Sequence, residues 1–259
     1  MSQFTHSIGI LGVGHLVQHM IHGLALAVPA SEILLSPRNA DRVQALRDRY
    51  DVDVATDNVS LVAQSSTVFV AVRPFQIETA IADLPWQSEQ TVVSLCAGVP
   101  ISVFERYVSG ARVVRALPVT AAEFGASPTC LFPNDPAVAD LLKHCGPIIP
   151  HSTEESFDTA SVMGCYYGWV QALVGELTDW LETNGVDPAA ARSLAAEMTR
   201  AGATTIQQRN DTTLKHLVDE LCIPGSYTGL GIDLMRAADA FTPWRQACQA
   251  VLDKSQDKG

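Results

Sequence analysis

The chain has 259 residues, 47% of them hydrophobic, and a formal net charge of −11. That apolar content supplies a core for one large or two ordinary domains, and the acidic balance argues against a nucleic-acid or anionic-membrane partner, either of which needs a basic face. No run approaches the roughly 18–20 apolar residues that span a bilayer, no leader with a basic n-region opens the sequence, and six cysteines without a CxxC read as reduced thiols of a cytoplasmic protein.

The run from Ile8 to Val17 joins an apolar strand pattern to Gly12 and Gly14, and an amphipathic helix pattern begins at once. A strand turning sharply into a helix leaves backbone N–H groups unpaired at the helix N-terminus, a site for a pyrophosphate. Gly12 suits the tight turn, and Gly14 lets phosphate approach a backbone that has no Cβ. Val17 stands where this fingerprint more often has Gly or Ala.

A helix over about His15–Leu26 leads to a second strand at Glu32–Ser36. Asp or Glu at the end of such a strand selects NAD through the ribose 2′-OH. Here Ser36-Pro37-Arg38-Asn39 offers a hydroxyl, a guanidinium and an amide instead, a set that suits the 2′-phosphate of NADP(H) better than NAD(H). The same four residues also suit an exposed polar turn. A helix over Ala40–Tyr50, a short strand near Asp53 and a turn at Thr56–Asn58 follow. The strongest strand pattern, Thr67–Val72, is apolar on both faces and stops at Arg73-Pro74. Further units run through a helix at Gln76–Ile81, a strand at Thr91–Leu95 ending in Cys96-Ala97-Gly98, a helix at Ile101–Val108 and a strand at Arg112–Ala116. This alternation predicts an α/β Rossmann-type doubly wound parallel sheet over 1–151, with its ligand off the carboxyl ends of the strands near Gly12, Ser36, Arg73 and Cys96.

Past Pro150 strand signals cease, and 152–259 is read as an all-α domain. Ser152 and Glu155 form a capping-box pattern opening one helix to Asn184, on the order of 45 Å long, with Gly185 as its stop. Phe157, Ala160, Gly164, Tyr167, Val170, Val174, Leu177 and Leu181 form one apolar face, and Tyr166, Trp169, Leu173 and Trp180 lie around the side. A helix apolar on several faces needs more cover than its own domain gives, so a homodimer built on this segment is expected. Asp187-Pro188 caps a helix to about Arg209, and a shorter one spans Thr212–Leu221. A break at Ile223–Thr228 precedes a helix at Gly229–Asp239, and Thr242-Pro243 starts the last helix, which ends in a charged, frayed tail.

Together these stretches resemble the pyrroline-5-carboxylate reductase family over nearly the full length. The resemblance is carried by Ile8–Leu16, by Val70-Ala71-Val72-Arg73-Pro74-Phe75-Gln76, by Val93-Ser94-Leu95-Cys96-Ala97-Gly98-Val99, and by the helical second half with its Pro-Gly loop. It implies a Rossmann domain followed by a helical dimerisation domain, and reduction of a cyclic imine carboxylate by a nicotinamide cofactor. It places Gly12, Gly14, His15, Leu16, Ser36, Arg38, Asn58, Val72, Arg73, Pro74, Cys96 and Ala97 at the cofactor; Asn58 equally suits a turn. Three departures fall where the substrate should sit. The family's Met-Pro-Asn-Thr-Pro is Leu117-Pro118-Val119-Thr120-Ala121, small residues give way to aromatics in Met163–Trp169, and Ser-Pro-Gly-Gly-Thr-Thr becomes Ile223-Pro224-Gly225-Ser226-Tyr227-Thr228.

Imine reduction is helped by a hydrogen bond to the imine nitrogen. The resemblance assigns this to Thr228, with the amides of Gly225, Ser226 and Tyr227 holding a carboxylate and Tyr166 and Thr120 completing the pocket. Read without it, the loop is an ordinary interhelical turn with Thr228 as N-cap, and the tyrosines are core. A different imine or keto/amine substrate, or a non-catalytic NADP-binding dimer, are the alternative functions. His15, His19 and His22 share a face of the first helix, but no carboxylate of that helix joins them, so no metal is expected. Cys96 and Cys165 are read as small apolar fillers near the cleft.

Overall fold

The structure, a computed structural model, describes residues 4–108 and 110–256. It forms two compact units, one holding residues up to Gly164 together with those from Leu252 on, the other running Cys165–Val251.

In the first unit β1 (His6–Leu11) enters α1 (His15–Ala27), then β2 (Ile33–Leu35), α2 (Ala40–Tyr50), β3 (Asp53–Val54), α3 (Asn58–Gln64) and β4 (Ser65–Val70). A 3-10 turn at Pro74–Gln76 precedes α4 (Ile77–Ile81), β5 (Thr91–Ser94), α5 (Ile101–Glu105) and β6 (Arg112–Leu117). The eight-stranded sheet runs β3-β2-β1-β4-β5-β6 and continues into β7 (Thr129–Phe132) and β8 (Ile148–Pro150), with α6 (Pro136–Leu142) between these last two. All neighbours pair in parallel except β6 and β7. Strand order reverses at β1, which pairs with β2 on one side and β4 on the other. In a doubly wound sheet the ligand crevice lies at that switch point.

Alternation along the strands builds two cores. Ile8, Ile10 and Phe69 face α1, α2 and α6 with Met20, Leu24, Leu46 and Leu142. Leu11, Val68 and Val70 face α3, α4 and α5 with Leu61, Ile81 and Phe104. Successive residues of one strand point to opposite faces, so a parallel strand covered on both sides is apolar throughout. The expected Rossmann-type sheet is thus observed. Its strongest strand is Ser65–Val70, so Val72 lies just past the ladder.

β7 and β8 answer no strand signal singled out in the sequence. Both are short, and β7 reverses direction against β6, so their pattern is weaker than that of the strands before them.

The long helix expected from Ser152 is two helices, α7 (Glu154–Ser161) and α8 (Met163–Thr183), with a turn at Val162. Thr153, not Ser152, is the cap, its Oγ1 accepting from the Ser156 amide at 3.1 Å. The Ser161 hydroxyl donates to the Phe157 carbonyl at 2.7 Å, a back-bond of the kind that bends helices. Phe157 is correspondingly not on a dimer face. It is fully buried in the first unit, 4.5 Å beneath the guanidinium of Arg115. Arg115 is itself buried, donates to Glu154 Oε1 at 2.8 Å, and has Nη2 2.7 Å from Asp158 Oδ1 as an electrostatic contact. This ties α7 to β6 through a buried cation shared by two carboxylates.

The second unit is helical: most of α8, then α9 (Pro188–Gln208), α10 (Leu214–Asp219), α11 (Tyr227–Ala237) and most of α12 (Thr242–Gln256). Caps mark the starts, Asp187 to the amides of Ala189 and Ala190, Thr213 to that of His216, and Ser226 to that of Gly229, each worth about 1 kcal/mol. α11 therefore begins two residues earlier than expected. The charged tail expected to fray ends in 257–259, outside the described residues.

Candidate functional site

The turn after β1 is built as its glycines require. Gly12 has φ +98°, and a Cβ there would stand 2.9 Å from Val72 Cγ1 and 3.1 Å from the Ala71 carbonyl group. Gly14 is the N-cap of α1 with φ −93°, and a Cβ on it would meet nothing nearer than the Ala71 oxygen at 4.0 Å. The first glycine is needed by the chain itself. The second leaves open space in front of the first amides of α1, at His15 and Leu16, where the helix dipole favours an anion.

Beside this turn lies a cavity of about 370 Å³ lined by Leu11, Gly12, Ser36, Arg38, Asn58, Val72, Phe75, Gln76, Thr79 and Ala80. No carboxylate is among them, and Arg38 is exposed at its edge. Five of the residues singled out in the sequence, Gly12, Ser36, Arg38, Asn58 and Val72, are brought together here. Ser36 is buried, and its Oγ accepts the Gly12 N–H at 3.0 Å. Asn58 is the first residue of α3, whose capping box pairs Asp57 with Ser60. That backbone bond from Ser60, first, and its hydroxyl hold the Asp57 carboxyl below the usual range. Arg73 is exposed as the cap of the 3-10 turn that Pro74 opens.

Cys96 and Ala97 follow β5. The Cys96 thiol donates to the carbonyls of Val70 at 3.4 Å and Val72 at 3.2 Å, and burial pushes it up to about 11. It is a protonated thiol holding the ends of β4 and β5 together, as its reading as a small filler implies. Cys165 departs from that reading: it is exposed on α8.

His15 and His19 meet Nε2 to Nε2 at 3.3 Å, and His19 Nδ1 lies 2.8 Å from Glu123 Oε2. The carboxylate comes from the 3-10 turn Thr120–Phe124, not from the histidines' own helix. Among the described residues no group of three His, Cys, Asp or Glu is placed to hold a metal ion. Thr120 opens that same turn in the first unit.

Tyr166 and the 225–228 loop belong to the second unit. Tyr166 packs its ring edge-on to Trp244, with centroids 6.0 Å apart, and remains partly exposed. Ser226, not Thr228, caps α11, and the Ser226 N–H donates to the Ile223 carbonyl at 3.0 Å. That amide is therefore already engaged, a correction to its expected role as a carboxylate donor, because Pro224-Gly225 closes a tight turn with Gly225 at φ +82°. Thr228 lies inside the first turn of α11 with its side chain exposed, and Tyr227 is 93% exposed.

Sequence reading missed Phe75, Gln76, Thr79 and Ala80 as cavity residues. Their signal was present: Pro74 forces a turn, and a large aromatic directly after it has no core to enter. Phe75 is 78% exposed at the cavity lip.

Comparison with known proteins sorts these features. Residues 7–98 match the family described as NADP oxidoreductase, coenzyme F420-dependent, and residues 154–258 match pyrroline-5-carboxylate reductase dimerisation. Pyrroline-5-carboxylate reductase of Methanosarcina acetivorans is 25% identical over 98% of both chains. Along nearly its whole length the chain is similar to pyrroline-5-carboxylate reductases. Pyrroline-5-carboxylate reductase of Mycobacterium leprae is 29% identical across 79% of this chain and 74% of its own. The Plasmodium falciparum pyrroline carboxylate reductase structure, with NADP bound, superposes over 100% of both chains with a TM-score of 0.87 at 20% identity, a likeness of fold. The dimerisation match assigns the helical half to self-association as a homodimer or larger oligomer. Among the described residues no helix is long and apolar enough to cross a membrane.

Proposed function

We propose that this protein is an NADP-preferring reductase of a cyclic imine carboxylate, of the pyrroline-5-carboxylate type, working as a cytoplasmic homodimer. Residues 1–151 form its dinucleotide-binding domain and 152–259 its dimerisation and substrate domain. The observation that carries the reading is the acid-free cavity beside the open Gly14 turn, with the Arg38 cation at its edge.

The residues fit the cofactor by their own chemistry. Gly14 leaves the room a pyrophosphate needs, and the amides of Gly14, His15 and Leu16 supply donors. Arg38 pairs with a 2′-phosphate, and no carboxylate lines the cavity to repel it. Phe75 offers its exposed ring face to the adenine, and Asn58 stands at the ribose. Val72, Arg73, Pro74, Cys96 and Ala97 form the shelf at the ends of β4 and β5 for the nicotinamide half. When bound, NADPH supplies the hydride that the imine carbon receives.

The remaining roles fall to the chain. The Thr228 hydroxyl donates a hydrogen bond to the imine nitrogen, keeping its proton and drawing electron density from the carbon that is to be reduced. The Gly225 and Tyr227 amides hold the substrate carboxylate at the positive end of α11, and Tyr166 and Thr120 shape the pocket. The six unpaired cysteines support a reducing compartment.

The aromatic residues Tyr166 and Tyr227, standing where the family has smaller ones, favour a second reading with a different imine or a keto/amine pair as substrate. NADPH oxidation against a panel of cyclic imines decides between them. Turnover of pyrroline-5-carboxylate above the others supports the first, preference for a bulkier imine supports the second, and no turnover leaves a non-catalytic NADP-binding dimer. In an active enzyme Thr228→Ala should lower kcat by about 10²-fold; an unchanged kcat removes Thr228 from the mechanism.

A further inference from the structure

The loop that follows β2 is fastened to the glycine turn at three points. The Ser36 N–H donates to the Ile10 carbonyl at 3.0 Å, the Gly12 N–H donates to Ser36 Oγ at 3.0 Å, and Asn39 Nδ2 donates to the Val13 carbonyl at 3.1 Å. Asn39 stands at the N-cap of α2, where an asparagine side chain ordinarily accepts from the helix amides. Here it makes no such bond, and its backbone is left-handed at φ 72° and ψ 61°. The side chain has forgone the local cap in favour of a carbonyl in another element.

That choice has a geometric consequence. The Val13 carbonyl and the Gly14 N–H belong to one trans peptide plane and point in opposite directions. Holding the carbonyl toward Asn39 aims the Gly14 N–H away from Asn39, at a residue whose missing Cβ leaves open space beside it. The Gly12 N–H, by contrast, is engaged by Ser36.

We propose that Asn39 is a positioning residue for the dinucleotide's pyrophosphate, acting through Val13 on the Gly14 amide and serving NADPH and NADH equally. This rests on the dinucleotide reading above. It divides the Ser36–Asn39 turn into two tasks: Arg38 distinguishes the dinucleotides at the 2′-phosphate, while Asn39 and Ser36 set the phosphate turn that both share.

Isothermal titration of the full-length protein with NADPH, NADH and adenosine 2′-monophosphate, which has no pyrophosphate, tests the division. Asn39→Gly keeps the left-handed backbone accessible and deletes only the amide. It should weaken NADPH and NADH together by about tenfold and leave adenosine 2′-monophosphate unchanged. Asn39→Asp, which turns an acceptor toward the Val13 carbonyl, should weaken both dinucleotides at least as much and serves if the glycine variant folds poorly. Unchanged dinucleotide affinity in both variants overturns the proposal. So does a loss confined to NADPH and adenosine 2′-monophosphate, which would put Asn39 on the 2′-phosphate itself. Wild-type protein that binds neither dinucleotide overturns the cofactor reading instead.

Discussion

The two units solve the burial problem differently. The sheet unit has two layers of fully buried side chains, from Ile8 and Phe69 on one face to Val68 and Phe104 on the other. The helical unit, 165–251, buries only Ala191, Ala195 and Leu217 among its described hydrophobic residues, while Leu173, Leu177, Trp180, Met198, Leu230 and Leu234 stay exposed. A surface this apolar is uncommon on a protein that works alone. The difference teaches that the first unit carries its own stability, whereas the second is a half-core that a further copy of the chain completes. A dimerisation family match over the same helices agrees with this.

The largest expected effect breaks the half-core. Leu177→Glu puts a charge on the α8 face and should convert the oligomer to monomer, with activity falling by more than about tenfold. Light scattering after gel filtration checks the mass, and an unchanged mass would place the interface elsewhere. The sheet unit should keep its own unfolding transition in that variant.

Within the sheet unit, the paired glycines separate stability from binding. Gly12→Ala forces a side chain into left-handed backbone against Val72 and should cost about 2 kcal/mol or more in thermal denaturation. Gly14→Ala, at φ −93° with no atom nearer than 4.0 Å, should leave the melting temperature unchanged while raising the NADPH KM by about tenfold. Equal stability losses in both would remove the distinction. Of similar size is Arg38→Ala, expected to raise the KM for NADPH about tenfold more than that for NADH; equal changes would refute a 2′-phosphate role.

The smallest effect concerns the buried thiols. Burial raises Cys96 and Cys145 from 9.0 to about 11 in the folded chain. Below pH 9 both states hold the proton and nothing is gained or lost. Between about pH 9 and 11 the unfolded chain releases it and the folded one does not, so folded stability falls as pH rises. A Cys96→Ala/Cys145→Ala double variant should show a shallower fall in melting temperature across that window. A slope equal to wild type would show that other groups govern the alkaline limb.

Legibility followed the range of the interaction. The glycine turn, the parallel strands, the Pro74 stop and the cap at Asp187 are events within a few residues, and strand alternation and helix period expose them directly; the cap at Ser226 stands two residues before the expected one at Thr228. The join between α7 and α8 was not legible, because the apolar period runs unbroken through Val162 while a serine back-bond bends the helix. β7 and β8 escaped because each is only three or four residues long and β7 enters the sheet antiparallel to β6. Of the cavity residues, Gly12, Ser36 and Arg38 follow from motif chemistry, and Asn58 and Val72 from the family resemblance. Phe75 was not singled out, although Pro74 before it signals the turn that leaves its ring at the cavity lip.

By itself the sequence determined the class of fold, the place of the glycine turn and the acid-free, Arg38-bearing end of β2, because each rests on backbone preference and charge carried by neighbouring residues. Only the tertiary structure decided how those groups are used. It set Ser36 against the Gly12 amide, turned Asn39 from its own helix to Val13, tied His19 to Glu123 and buried Arg115 beneath α7. These are contacts between residues 24 to 104 positions apart, and no local pattern can announce a partner that folding alone brings near.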